Sequence, residues 1–597
     1  MATPTVVLVP VWGIGHFVPM LEVGKRLLAR SARALTITVL VMPEPDATRA
    51  SEITEHIRQE QATGLAIRFH HLPLVAPPTD TSGIEEYVSR YVQLYSPHVK
   101  AAVAGLTCPV AGVVVDIFCT TLFDAAHELG VPAYVYLIAS AAMCALLLRS
   151  PALHEEVAGD VEFEDVEGGG VDVPGLPPVP ASCLPTGLEN RKITTYRWFL
   201  YNGRRYMEAG GIVLNTVAEA EPRVLAAIAD GRCTRGVPAP PVYSIGPVIP
   251  FTPPAAAGEQ ARHECVRWLD SQPPGSVVFL CFGGKGCFTA PQAHEIAHGL
   301  DRSGRRFLWV LRGLPEPGTK MPADGNLAEL LPAGFLERTK DRGLVWPTKA
   351  PQKEILAHAA VGGFVTHGGW NSILESLWHG VPMVPWPLGA EQHYNAFTLV
   401  ADMGVAVAMG VERKRSNFVA AAELERAVKA LMGDGETVRK VRDKVTEMKA
   451  ACRKAVEEGG SSNVSLQRLC DALVKGAISS LRVGAVGLGA SGRARVPISS
   501  CGCRGAGRPR RVPISGLRVG AVGLGSSGRV SADAAGESAL RAVAVSPPSD
   551  PLLRRRHGGV RAARRRRMPC GHCRQFLQEI RTAAGIQPYQ WRRKDLN

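Results

Sequence analysis

The stretch Val361-Gly362-Gly363-Phe364-Val365-Thr366-His367-Gly368-Gly369-Trp370-Asn371-Ser372-Ile373-Leu374-Glu375-Ser376-Leu377 decides the fold. It opens as a short apolar run, Val361 to Val365, broken at once by Thr366-His367-Gly368-Gly369. Ser372 to Leu377 then follow at helical spacing. Strand, glycine turn and helix start, in that order, aim backbone N–H groups and the positive end of a helix dipole at a phosphate. Paired glycines let the backbone approach a ligand where a Cβ would obstruct it. Asn371 and Glu375 are four apart and share a helix face, while Ile373, Leu374 and Leu377 turn into packing. Lys349-Ala350-Pro351-Gln352 leads into this unit. Beyond it a second strand, Met383 to Trp386, ends in Pro387 and delivers Glu391 and Gln392 to the same rim. Polar groups converge on one site, and a sugar nucleotide would suit it.

The same rhythm runs through the rest of the first 476 residues. Val6 to Val9 reads as a buried strand, followed by Trp12-Gly13-Ile14-Gly15-His16 and a helix opening at Pro19; Leu35 to Val41 is the next strand. Strand–helix–strand alternation predicts a parallel sheet with crossover helices. His16 falls on the strand-to-helix turn, where open α/β sheets place their ligands. On local evidence alone it is more readily a structural or exposed histidine. Asp116 ends the strand from Ala111, again at the ligand edge, with a helix cap or turn as its equal alternative. Val131 to Ile138 follows, with Ser140 just past its end as a candidate for a second ligand's pocket. Residues 158–187, rich in Gly, Pro and acids, read as a mobile surface loop. After Ile212 to Asn215 and Val242 to Ile245, the proline- and alanine-rich segment 247–260 reads as a linker. A second half then restarts: a strand from Ser276 to Cys281, the turn Phe282-Gly283-Gly284-Lys285-Gly286, a helix from Pro291 to Arg302, and a strand from Phe307 to Leu311. Helices at 423–432, 438–457 and 465–474 close it. The domains predicted are 1–246, 261–476 and a tail, 477–597.

Composition limits the alternatives. Hydrophobic residues make up 46% of the 597, ample for two cores, yet no run reaches the roughly 18–20 apolar residues of a membrane span. The first apolar run, Thr5 to Trp12, lacks the basic lead-in of a signal sequence. Fourteen thinly spread cysteines fit reduced thiols in a cytoplasmic protein. The formal charge of +14 belongs to the tail, which holds 23 basic and 5 acidic residues against 45 and 49 in the body.

The 44 residues from Lys349 to Gln392 resemble, without a gap, the secondary-product glycosyltransferase box of the plant UDP-dependent glycosyltransferases (family 1). The likeness extends over about residues 5–476. The segment Trp346-Pro-Thr-Lys-Ala-Pro-Gln352 and the Gly15-His-Phe-Val-Pro19 start look most like the branch that glycosylates flavonoids and related phenols. The resemblance implies a GT-B architecture, two Rossmann-like doubly wound domains facing across a cleft, and an inverting, metal-independent transfer with no cofactor beyond the UDP-sugar. His16 would be the general base for an acceptor hydroxyl and Asp116 would hold its imidazole. His367, Asn371 and Ser372 would bind the diphosphate, with the Gly284 turn and Gly369 bringing backbone close. Glu375 would take the ribose hydroxyls, Gln352 the uracil edge, and Glu391 and Gln392 the sugar hydroxyls. Trp370 would contact the sugar or simply pack. Gln392, rather than His, at the end of the box implies UDP-glucose over UDP-galactose. Three departures bear on donor affinity: Lys349 stands where a Trp stacks on uracil in the family, Gly284 where Ser or Thr is usual, and Gly389 where an aromatic is common. A sugar-nucleotide-binding protein with reduced or no turnover is the alternative they suggest. The expected partners are a phenolic small molecule and the UDP-sugar, for a monomer that binds no specific nucleic acid.

Beyond Gly476 the pattern changes. Ile478 to Arg493 and Ile514 to Arg529 match at 14 of 16 positions, and arginine runs such as Arg564 to Arg567 read as a disordered basic segment. The repeated segment and Pro569-Cys570-Gly571-His572-Cys573-Arg574-Gln575 resemble fragments of a cytidine deaminase. That chemistry also needs a His-x-Glu, and none occurs in 477–597. An inactive fused fragment is the expectation.

Overall fold

A computed structural model describes residues 2–486 apart from 33, 46–49, 158, 160, 167, 168, 251–261, 318 and 320, with the backbone alone at 50, 51 and 477–486. Residues 487–597 of the tail and most of the 247–260 segment, with the readings made on them, lie outside the described residues. The described residues form fourteen strands: β1 Thr5–Val9, β2 Thr36–Val41, β3 Ile67–His71, β4 Val110–Asp116, β5 Ala133–Leu137, β6 Gly170–Val171, β7 Val179–Pro180, β8 Gly211–Leu214, β9 Val242–Ser244, β10 Val277–Cys281, β11 Arg306–Val310, β12 Gly343–Trp346, β13 Val361–Thr366 and β14 Met383–Pro385.

They build two parallel sheets and one small antiparallel pair, β6 with β7. The first sheet runs β3-β2-β1-β4-β5-β8-β9, the second β12-β11-β10-β13-β14. Both are doubly wound, as the strand–helix alternation predicts. Strands β1, β4 and β10 are buried along their whole length, which is why they read as continuous apolar runs. In each sheet the order reverses beside the first strand of the half: β1 lies against β4, with Val9 opposite Val115, and β10 lies against β13, with Cys281 opposite Thr366. Open α/β sheets bind ligands at the carboxyl ends of such switch points. The first sheet's switch delivers the 10–13 loop, with His16 in the helix turn that follows it, and Asp116. The second delivers the Gly283 turn and His367.

Three expectations are corrected. The first helix spans Ile14–Arg30, so Pro19 lies inside it and His16 sits in its first turn. Gly13, at φ 107°, turns the chain so sharply that the helix begins at once. The described residues of 158–187 form a packed segment, not a mobile loop: Phe163, Val171, Val173, Val179 and Leu184 are buried in the first core. Irregular backbone hid apolar anchors that have no period. The last helix, Ser461–Val486, returns to the first half and packs on β4, β9 and the first helix, where Leu466, Leu469, Cys470 and Leu473 join the core.

That return is testable. Leu473 is fully buried, and its side chain lies where a Cβ on Gly112 of β4 would be. Leu473→Ala is expected to cost about 2–5 kcal/mol, read as a lowered Tm in calorimetry. No helix among the described residues is long and apolar enough to cross a membrane.

Candidate active site

His16, in the first turn of the helix Ile14–Arg30, meets Asp116 at the end of β4. His16 Nδ1 lies 3.1 and 3.0 Å from the two Asp116 carboxylate oxygens. Asp116 is buried, and the backbone N–H groups of Ile117 (2.7 Å) and Val11 (3.4 Å) also donate to it. The carboxylate therefore accepts a hydrogen bond from Nδ1–H and leaves Nε2 as the nitrogen with a lone pair. The His16 side chain keeps 43% of its surface accessible. Burial disfavours its charged form, but the charge and hydrogen bond of Asp116 outweigh burial, and its pKa stands above the ordinary 6.5. Lys285 works against protonation and Glu391 for it.

Across from it, His367 is wedged between two glycines. A Cβ on Gly283 would fall 2.7 Å from its Cε1 and one on Gly369 2.4 Å from its Nε2, and Gly283 also has φ +72°. Burial pushes its pKa down to about 4, so this imidazole is neutral at physiological pH. It can hydrogen-bond a phosphate but brings it no charge. His367 Nδ1 and Asn371 Oδ1 are buried without a hydrogen-bond partner among the described residues. Asn371 Nδ2 reaches across the cleft to the Gly15 carbonyl at 3.4 Å. That carbonyl is open because its helical partner, four residues on, is Pro19, which has no N–H.

Gln352, Ser372 and Glu375 form one cluster. The Gln352 amide donates to Ser372 Oγ (2.9 Å) and Glu375 Oε2 (2.8 Å), bracing the face that the sequence assigned to base, phosphate and ribose. Burial raises the Glu375 pKa. These three line a cavity of about 1010 Å³ together with Ile14, Gly283, Gly284, Arg312, Lys349 and Trp378. Lys349 is largely exposed, its Nζ 3.5 Å from Glu52 on the opposite wall. Trp346 does not replace the missing stacking ring. It packs edge-on against His263, centroids 5.0 Å apart, and its Nε1 is buried without a partner among the described residues. Trp378, which sequence reasoning passed over, is the aromatic side chain on the cavity wall. Its three-residue spacing from Glu375 on one helix was the available signal.

The sugar-end candidates divide. Glu391 is close enough to His16 for each to favour the other's charged form, while burial raises the carboxyl's pKa. Gln392 Oε1 accepts the backbone N–H groups of Leu388 (2.8 Å) and Gly389 (3.1 Å), shaping the loop through Ala390, whose φ is +51°. Trp370 is buried and donates its indole N–H to the Asn215 carbonyl at 2.6 Å. It is a strut between the two halves rather than a sugar contact. Ser140 is likewise no pocket residue: it is fully buried and caps the helix Ala141–Glu156, accepting from Met143 N at 3.0 Å. Among the described residues no three His, Cys, Asp or Glu side chains are grouped to hold a metal ion.

Comparison with known proteins matches this geometry to a family. A family model described as "UDP-glucoronosyl and UDP-glucosyl transferase" matches residues 254–442. A malvidin galactosylase of Oryza sativa subsp. japonica is 61% identical over 481 residues, covering 80% of this chain and 98% of that protein. An anthocyanidin 5,3-O-glucosyltransferase of a Rosa hybrid cultivar is 39% identical over 485 residues, 79% and 98% of the two chains. The crystal structure of UGT71G1 from Medicago truncatula, complexed with UDP-glucose, shares the fold at a TM-score of 0.67 and 33% identity, over 79% of this chain and 98% of that one.

Proposed function

The chain belongs to the plant UDP-glycosyltransferases, and we propose that within this family it transfers glucose from UDP-glucose, with inversion, to a hydroxyl of a flavonoid or related phenol. The observation that carries this reading is the His16–Asp116 pair, Nδ1 at 3.0 Å from the carboxylate, set at the mouth of a cleft whose other wall is the His367–Asn371 turn. In the proposed reaction the acceptor oxygen bonds to the anomeric carbon as the carbon–oxygen bond to the β-phosphate breaks. The bonding pair leaves with UDP, and the acceptor's proton passes to His16 Nε2. Asp116 stabilises the imidazolium. The flavonoid acceptor is supported by the malvidin and anthocyanidin enzymes it resembles. The reading extends to a cytoplasmic monomer that needs no metal or other cofactor, and to a tail without deaminase activity, for which a cytidine assay is the check.

A second reading of the donor has its own support. The relative at 61% identity is a galactosylase, whereas Gln392 at the end of the box favours glucose. Parallel incubations with UDP-glucose and UDP-galactose, a flavonoid panel and mass spectrometry separate them. Higher kcat/KM with UDP-glucose supports the first, and UDP release without any glycoside would overturn both.

Donor binding depends on the glycine at 283. Gly283→Ala adds left-handed strain of about 1–2 kcal/mol and drives a methyl into His367. UDP affinity, measured by titration calorimetry, is expected to fall at least about tenfold.

A further inference from the structure

The loop Pro387 to Gln392 carries the two side chains that family likeness assigns to the donor sugar, Glu391 and Gln392, and between its fixed points lies a strained residue. Ala390 has φ +51°, a left-handed conformation that sterics disfavour for a residue with a Cβ. Such a turn persists only where its surroundings over-determine it. The second half holds the first part of the loop: Gln392 Oε1 accepts from the Leu388 and Gly389 N–H groups, and Asn417 Nδ2 donates to the Leu388 carbonyl at 2.9 Å. The Ala390 carbonyl is held from the first half. It accepts from the backbone N–H of Thr186 at 3.0 Å and from the Thr186 hydroxyl at 3.3 Å. Thr186 is seated on both sides. A Cβ on its neighbour Gly187 would fall 2.9 Å from the carboxyl carbon of buried Glu85. Arg413, from the second half, donates to the Leu184 carbonyl at 2.8 Å and pairs with Glu189.

The same loop lies against the turn that carries His367. Asn395 Nδ2 donates to the Gly368 carbonyl at 2.9 Å, and a Cβ on Gly368 would stand 3.6 Å from the Gln392 carbonyl oxygen. Glu391 follows Ala390 directly and is the N-cap of the helix Gln392–Phe397, so the peptide that Thr186 holds sets where that carboxylate starts. With Oε1 spent on the loop, Gln392 keeps amide donors, and Glu391 carboxylate acceptors, for sugar hydroxyls. We infer that Thr186 is a positioning residue for the donor sugar: by holding the Ala390 carbonyl it keeps the left-handed turn that aims Glu391 and Gln392. Two hexoses that differ in the direction of one hydroxyl are told apart only by donors and acceptors held in fixed places. The half of the chain that carries the base therefore also sets which sugar is accepted.

The inference rests on the glycosyltransferase reading, and its test separates the two. Thr186→Pro removes both hydrogen bonds while suiting the local backbone. Residue 186 opens a 3₁₀ turn, where proline is tolerated, and Pro185, at φ −53° and ψ 149°, already has the conformation that a following proline requires. In this variant kcat/KM for UDP-glucose is expected to fall about tenfold. The ratio of kcat/KM for UDP-glucose to that for UDP-galactose should move toward one, whichever sugar the wild type prefers. UDP, which carries no sugar, should inhibit as it does the wild type. Thr186→Ser keeps both bonds and should keep wild-type values. Thr186→Val keeps the N–H and loses the hydroxyl; it should show the same pattern at about threefold, and it decides the matter if the proline variant does not fold. Equal loss of UDP and UDP-glucose affinity would show that the segment only supports the cleft, and an unchanged sugar ratio and donor kinetics would remove Thr186 from the site. Either result overturns the inference. A wild-type chain that binds UDP but transfers from neither sugar nucleotide would instead overturn the functional reading beneath it.

Discussion

His16→Ala is expected to lower kcat for transfer to a phenol by about 10²–10⁴-fold, the worth of a positioned general base, while UDP binds as tightly as before. The second half of that statement gives the first its meaning. His16 extends from the first helix and contributes nothing to the Gln352–Ser372–Glu375 cluster, which belongs wholly to the second half. Truncating it removes the lone pair at Nε2 and leaves the donor cavity intact. The wild-type pH profile supplies an independent check. Because the pKa of His16 is raised above 6.5, the base is lost as pH falls through that raised value, and kcat/KM should show an acid limb centred above 6.5. The contribution of the His16–Asp116 pair to stability runs the other way: it is full below pH 6.5 and fades as pH rises through the raised pKa. Activity and this part of stability therefore move in opposite directions with pH. Full activity in His16→Ala, or an acid limb that survives the substitution unmoved, would remove His16 from the role of base.

Asp116→Asn is expected to cost about as much, on the order of 10²–10⁴ in kcat, with a shift that no merely destabilised protein would show. An amide at 116 cannot both accept the Nδ1 proton and keep the charge that stabilises the imidazolium. Burial and Lys285 then act on His16 with only Glu391 opposing them, so the pKa falls and the acid limb moves to lower pH. Slower turnover with a base available at lower pH is the combined signature. The fold should survive, since an Asn oxygen can still accept from Ile117 or Val11. Circular dichroism and UDP titration of the variant establish that. An unchanged acid limb with reduced kcat would mean that Asp116 only maintains the loop around residue 11.

What could be read from the chain follows from where each element sits. β1, β4, β10 and β13 lie at the centres of their sheets, covered on both faces, so their apolar runs were legible at once. β3, Ile67-Arg-Phe-His-His71, lies at an edge with alternate residues half-buried and was passed over. The helix Ala141–Glu156 was missed for the opposite reason: it is buried almost all round and shows no polar face to mark its period. In the site, the strand–turn–helix around His367 declared itself locally, because its ligand groups come from one short segment. The pairing of His16 with Asp116, 100 residues apart, rested on family likeness, since locally each residue had a bland alternative. Ser140 and Trp370 show the converse. Each occupies a suggestive position, and each spends its polar atom on the protein itself, one as a helix cap and one as a strut. Which partner a hydroxyl or an indole N–H finds is a property of packing, and spacing along the chain does not determine it.

The proposed reaction is a single displacement, with the base on the first helix acting at a sugar held by the second half. The anomeric configuration of the first-formed glycoside tests it most directly. With the α-linked UDP-sugar as donor and a flavonol as acceptor, NMR of the product taken before any equilibration should show the β-glycoside alone, with one UDP released per glycoside. An α-glycoside would require a second displacement through a covalent sugar–enzyme intermediate and would contradict the account.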